Sequence, residues 1–127
     1  MDTVVQLGLV AGGGAVGASA RWVAGLLATR LRIAAWVAIM LVNAVGCLAI
    51  GLAAGTGVGP GLEAFLLGGV LGGFTTFSTA MLDAWILWRT GRHGAATLCV
   101  LGTAAIAMIA VMLGLGVASM VSTGASA

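Results

Sequence analysis

Thr75, Thr76, Ser78 and Thr79 surround Phe77 directly after the pair Gly72 and Gly73, in the middle of a long apolar run. Hydroxyls at that density can return to an ion the hydrogen bonds it gives up on leaving water, and they compete with a helix for its backbone groups. Glycine and threonine are poor helix formers, so the chain is expected to break there. A break at membrane depth releases carbonyls that can hold a cation and amides that can hold an anion, and it survives only where protein or a cavity covers it. The chemistry on offer is ion binding, of either sign. Among the further polar side chains inside apolar runs three stand out: Arg21, Asn43 and Asp83. A charge near the bilayer centre costs roughly 2.5 to 3.5 kcal/mol, so such groups face protein or water. Arg21 can snorkel to an interface or serve a site. Asn43 can bond a neighbouring helix or donate to an anion. Asp83 is about one turn from the end of its run and can reach water.

The elements that must hold these groups follow from composition. Hydrophobic residues make up 61% of the 127 and charged residues 6%, against about 25% charged in soluble domains. Four runs of bilayer length, 4–27, 34–54, 62–88 and 95–120, use up nearly the whole chain, since each crossing needs roughly 20 residues. Short alternating strands are absent from the pattern, which excludes a barrel. The expected fold is therefore an all-α integral membrane protein, one domain over 1–127, with four transmembrane helices and a broken third. Short connections make neighbouring helices antiparallel.

Several other chemistries are excluded by the same residues. The first run lacks the basic flank of a secretory signal. Cys47 and Cys99 show no ligand or disulfide spacing and read as packing residues. Gly12, Gly14 and Gly17 match G-x-G-x-x-G, but the flanks are a membrane helix and no acidic residue follows about 20 positions on, so nucleotide binding is not indicated. His93, in an arginine-rich connection, has no catalytic or metal-binding partner in the sequence. No nucleophile with a base appears, and an enzyme is not expected. A small multidrug-type proton-coupled exporter would share the length but needs a carboxylate central to the bundle, and a non-transporting scaffold would leave Asn43 and the hydroxyls without a purpose.

Arginine placement orients the chain. Arg30, Arg32, Arg89 and Arg92 flank the first and third connections, which share a side in a four-helix protein, and the opposite side has no Lys or Arg. By the positive-inside rule both termini face away from the cytoplasm, in a cell (inner) membrane. Glycine, at 22 residues, recurs four apart in Gly8 and Gly12, Gly13 and Gly17, Gly51 and Gly55, Gly68 and Gly72, and Gly69 and Gly73. These small faces suit close helix packing. They are more numerous than one chain needs, so a dimer is expected.

The run GGFTTFST from Gly72 to Thr79, Asn43 within LVNAVGCLAIG and Arg21 within GGGAVGASARW together resemble the Fluc (CrcB-type) fluoride channels. The resemblance implies an antiparallel dimer that exports fluoride passively through two pores around a structural sodium ion (Na+). It implies that Gly72 and Thr75 give backbone carbonyls to sodium. It further implies that Phe77 and Asn43 meet fluoride in the pore, that Ser78, Thr79 and Thr103 form a hydroxyl track, and that Arg21 and Asp83 stand in a vestibule. An aromatic ring edge is electropositive, so Phe77 could favour an anion without trapping it.

Two positions depart from the family pattern. A second phenylalanine is replaced by Ala80, and a tyrosine of the fourth helix by Cys99; both losses are expected on pore elements. The arginine bias also opposes insertion in both orientations. Together they suggest a heterodimer with a related subunit of opposite bias that supplies the missing groups, with Met81 filling the space at Ala80 in a homodimer as the competing expectation.

Overall fold

A computed structural model describes residues 2–124; the outermost positions of the expected 1–127 domain lie outside the described residues. Four helices are long and apolar enough to cross a membrane: α1 (Thr3–Arg30), α2 (Ala35–Gly55), α3 (Pro60–Arg89) and α4 (His93–Thr123). No strand occurs among the described residues. Each helix matches an expected span to within a few residues: α1, α3 and α4 run past theirs at both ends, and α2 is shifted by one residue. Asp2 caps α1 by accepting from the Val4 N–H at 3.4 Å, and Pro60 opens α3 with its ring at the first turn, where no N–H is needed. Each connection contains one left-handed residue, Arg32 (φ 56°), Gly57 (φ 64°) and Gly91 (φ 78°). Glycine adopts that conformation freely; arginine does so at a cost of about 1–2 kcal/mol.

Glycine decides which helices touch. α1 packs on the first half of α3 and α2 packs on α4. A β-carbon at Gly17 would strike the Val70 carbonyl and lie 2.8 Å from the Phe74 nitrogen, and one at Gly69 would lie 2.8 Å from the Gly13 Cα. Gly51 meets Gly114 in the same way, with 3.0 Å between its added β-carbon and the Gly114 Cα. The pairs Gly13/Gly17, Gly69/Gly73 and Gly51/Gly55 are thus close-packing faces, as expected, and of the G-x-G-x-x-G residues Gly17 belongs to this packing and Gly14 backs onto Gly73. Gly8 and Gly12 face open space.

A small core of Ala84, Leu87, Ala96 and Cys99, with Trp36 against it, joins the second half of α3 to the start of α4. Most large apolar side chains point outward, as they should where the solvent is lipid. Two wide π-helical stretches interrupt the regular spiral, Ala64–Leu71 in α3 and Leu98–Gly102 in α4. Gly72 follows the first and Thr103 the second. Such stretches often lie beside functional sites.

Candidate ion pathway

α3 breaks at Thr75 and Thr76, whose backbones are extended (φ −77°, ψ 154° and φ −151°, ψ 124°), and a new helix begins at Phe77. Extended residues cannot pass i→i+4 bonds across the gap, so the carbonyls before it and the first amides after it lose their helical partners. The break is closed locally by threonines. The Thr75 hydroxyl donates to the Leu71 carbonyl at 2.9 Å, and the Thr76 hydroxyl accepts from the Thr79 N–H at 3.3 Å as an N-cap.

Asn43, on α2 and almost completely buried, faces the break. Its Oδ1 accepts from the Thr76 N–H at 2.8 Å and its Nδ2 donates to the Thr76 carbonyl at 2.9 Å. Only this orientation of the amide satisfies both backbone groups, which leaves one Nδ2 hydrogen uncommitted. Gly46, one turn further along α2, makes the approach possible: a β-carbon there would collide with Thr75 Cγ2 and lie 3.2 Å from the Phe74 ring.

From Thr76 the hydroxyls continue as a chain. Thr76 Oγ1 lies 3.0 Å from Thr79 Oγ1 and 3.3 Å from Ser78 Oγ. On one side of this chain a groove of about 410 Å³ is lined by Asn43, Gly72, Thr75, Thr76, Phe77 and Thr103, together with Cys47, Met81 and Val100. Its walls carry no arginine, lysine or histidine. Thr103 is 8% exposed, and its Oγ1 is buried with no hydrogen-bond partner. Phe77 is 76% exposed and Ser78 is exposed beside it.

On the other side Thr79 opens into a second cavity, of about 570 Å³, at the arginine end of the bundle, where Trp22, Thr29, Arg32 and Asp83 line the wall. Asp83 Oδ2 is buried and unpartnered. Arg21 is half-buried on α1 and lines neither cavity; its neighbour Trp22 does. The sequence did not point to Arg32 or Gly46 as site residues. Arg32 reads as a solvated loop charge, and Gly46 is one glycine among many, distinguished only by sharing a helix face with Asn43.

The two departures from the channel pattern are neighbours. Ala80 and Cys99 are both 0% exposed, and the Cys99 thiol donates to the Ala80 carbonyl at 3.4 Å. Neither lines the groove; both are packed inside the subunit, where the small Ala80 lets α3 and α4 close on each other. Met81 lines the groove from the next position. His93, expected as a solvated loop residue, is exposed with its ring edge-on to Trp88, centroids 4.4 Å apart.

A family profile described as CrcB-like protein, Camphor Resistance (CrcB), matches residues 8–115. The chain is 44% identical over 111 residues to the fluoride-specific ion channel FluC of Paracoccus denitrificans, covering 85% of this chain and 90% of that one. It is 47% identical over 93 residues to that of Rhodospirillum centenum, covering 68% and 74%. A third relative of the same description, from Methylobacillus flagellatus, is 34% identical over 117 residues, covering 86% and 91%.

Proposed function

The chain belongs to the CrcB family of fluoride channels, and from that premise we propose how it works: as a multi-pass membrane subunit through which fluoride leaves the cytoplasm passively, along the groove and hydroxyl chain beside the α3 break. The observation that carries this reading is the Thr103 hydroxyl, buried in the groove wall without a protein partner. A buried hydroxyl left unpaired costs about 1–3 kcal/mol, which a passing ligand would offset.

The groove suits a small, tightly hydrated anion. Its donors are neutral, namely the spare Asn43 hydrogen, the Thr76 and Thr103 hydroxyls and the edge of Phe77, with the Ser78 and Thr79 hydroxyls continuing from Thr76, so they can replace water without holding the ion as a full charge would. Chloride is larger and less strongly hydrated, and gains less from that exchange. Asp83 and Arg32, which line the second cavity, belong to the vestibule side of the path, and Arg21 stands outside it. A proton-coupled exporter has less support, because no carboxylate lines the groove.

Assembly as an antiparallel dimer is part of the proposal. Phe77, at 76% exposure, and the open groove beside it stand in the middle of a spanning helix, and a second subunit would enclose both as a pathway closed off from lipid. A structural sodium ion also fits. The carbonyls of Gly72 and Thr75 lack helical partners, and carbonyl oxygens are the hard donors such a cation takes. The arginine bias supports a heterodimer as a second reading. The deciding experiment is fluoride efflux from liposomes holding this chain alone, read by an ion-selective electrode, with chloride as control. Fast, fluoride-selective efflux is expected of a self-sufficient channel. Silence from folded protein, persisting after addition of a subunit of opposite bias, would overturn the channel reading.

A further inference from the structure

We propose that Asn43 is a positioning residue, a clasp that holds α3 open by taking the Thr76 N–H. In an unbroken helix that N–H would bond the Gly72 carbonyl, four residues back. Here it goes to Asn43 Oδ1 at 2.8 Å instead, and Asn43 Nδ2 takes the Thr76 carbonyl at 2.9 Å. One side chain therefore satisfies both backbone groups of the extended residue. It also leaves the Gly72 carbonyl free.

The placement of the next three residues depends on the same contact. The Thr76 hydroxyl caps the second half of α3 and joins the Ser78 and Thr79 hydroxyls, and Phe77 is the next residue in the chain. Losing the clasp frees Thr76 N–H to return to Gly72, which would rotate the cap, the hydroxyl chain and the Phe77 ring together. Two of the amide's three strong hydrogen-bonding groups are thus spent on the backbone, and only one Nδ2 hydrogen remains for an ion. Asn43 acts on the pathway mainly through Thr76. This inference rests on the fluoride reading for its flux measurements but not for its spectroscopic one.

The test removes the Thr76 N–H without touching any side chain, by incorporating the α-hydroxy analogue of threonine at position 76 so that an ester replaces the amide. The ester and Asn43→Ala are each expected to slow fluoride efflux tenfold or more. Combined, they should be no slower than the slower single variant, because both remove the same bond. All three phenylalanines are labelled with fluorine, and the Phe77 resonance should move in the ester and in Asn43→Ala while secondary structure by circular dichroism is unchanged. An ester with unaltered flux and an unmoved Phe77 resonance would overturn the clasp, as would two flux losses that multiply. If the unsubstituted chain conducts neither alone nor with a subunit of opposite bias, the fluoride reading is at fault, and the fluorine resonance still decides on the clasp.

Discussion

Thr103 and Ala80 separate function from stability at the scale of single residues. The Thr103 hydroxyl has no protein partner, so Thr103→Val, which keeps the shape and removes the polar atom, should leave thermal stability unchanged or raise it by up to about 1 kcal/mol. Fluoride efflux should nonetheless fall about tenfold, the worth of one hydrogen bond to an ion. A loss of stability matching the loss of flux would show that the hydroxyl has a partner inside the protein. Ala80 behaves in the opposite way. Restoring the family's aromatic by Ala80→Phe forces a ring into a site sealed by Cys99 and 0% exposed. Overpacking of this kind costs about 1–3 kcal/mol or more, so the melting temperature in detergent should drop and flux should not improve. The paired variant Ala80→Phe with Cys99→Ala should recover part of the stability, because the thiol that occupies the space is gone.

At the scale of elements, two helix pairs carry the fold and glycine backbones are their contact surfaces. Gly17→Ala places a methyl against the Val70 carbonyl and the Phe74 nitrogen, backbone atoms that cannot swing aside, and should destabilise the subunit by about 2 kcal/mol. Gly12→Ala meets nothing within 4 Å and should leave subunit stability intact. Comparing the thermal unfolding of the two variants checks the packing, and similar melting temperatures would refute it. Much of this level was legible in the sequence. Hydropathy places four spans within a few residues, because a bilayer demands unbroken apolar length. Gly72-Gly73 followed by hydroxyls locates the break, because those residues compete against the helix. The π-helical stretches were not legible, since a wide turn has no residue signature of its own. They border the site all the same: Gly72 follows the first and Thr103 the second. Asn43 was visible as an expensive amide in an apolar span, but its partner, a backbone 33 residues away, depends on a helix crossing that the sequence does not print.

The whole molecule is polar in a second sense, along the bilayer normal. Arg30, Arg32, Arg89 and Arg92 gather at the end where α1 meets α2 and α3 meets α4, and the opposite end has no Lys or Arg. The tryptophans accompany them: Trp36 opens α2, Trp85 and Trp88 close α3, and Trp22 lines the cavity that also contains Arg32. The Arg89 guanidinium lies 5.9 Å from the centre of the Trp85 ring, the arrangement of an interfacial belt in which a cation rests on an aromatic face. Charge draws such an end to the cytoplasmic surface, and the indoles hold it at the headgroup level. A chain that must insert in both directions to pair with itself needs its arginines balanced between the two ends, and here those four are all at one. Reporter fusions to the two termini are therefore expected to give a single orientation in cells, with both termini outside the cytoplasm. An antiparallel channel would then require a second subunit of opposite bias. Adding arginines to the connection around Gly57 while replacing Arg89 and Arg92 by glutamine should let some copies insert inverted, and fluoride export by this chain alone should rise with the inverted fraction. Comparable amounts of both orientations in the unaltered chain would instead mean that four arginines and a tryptophan belt do not fix the topology, and the homodimer would stand.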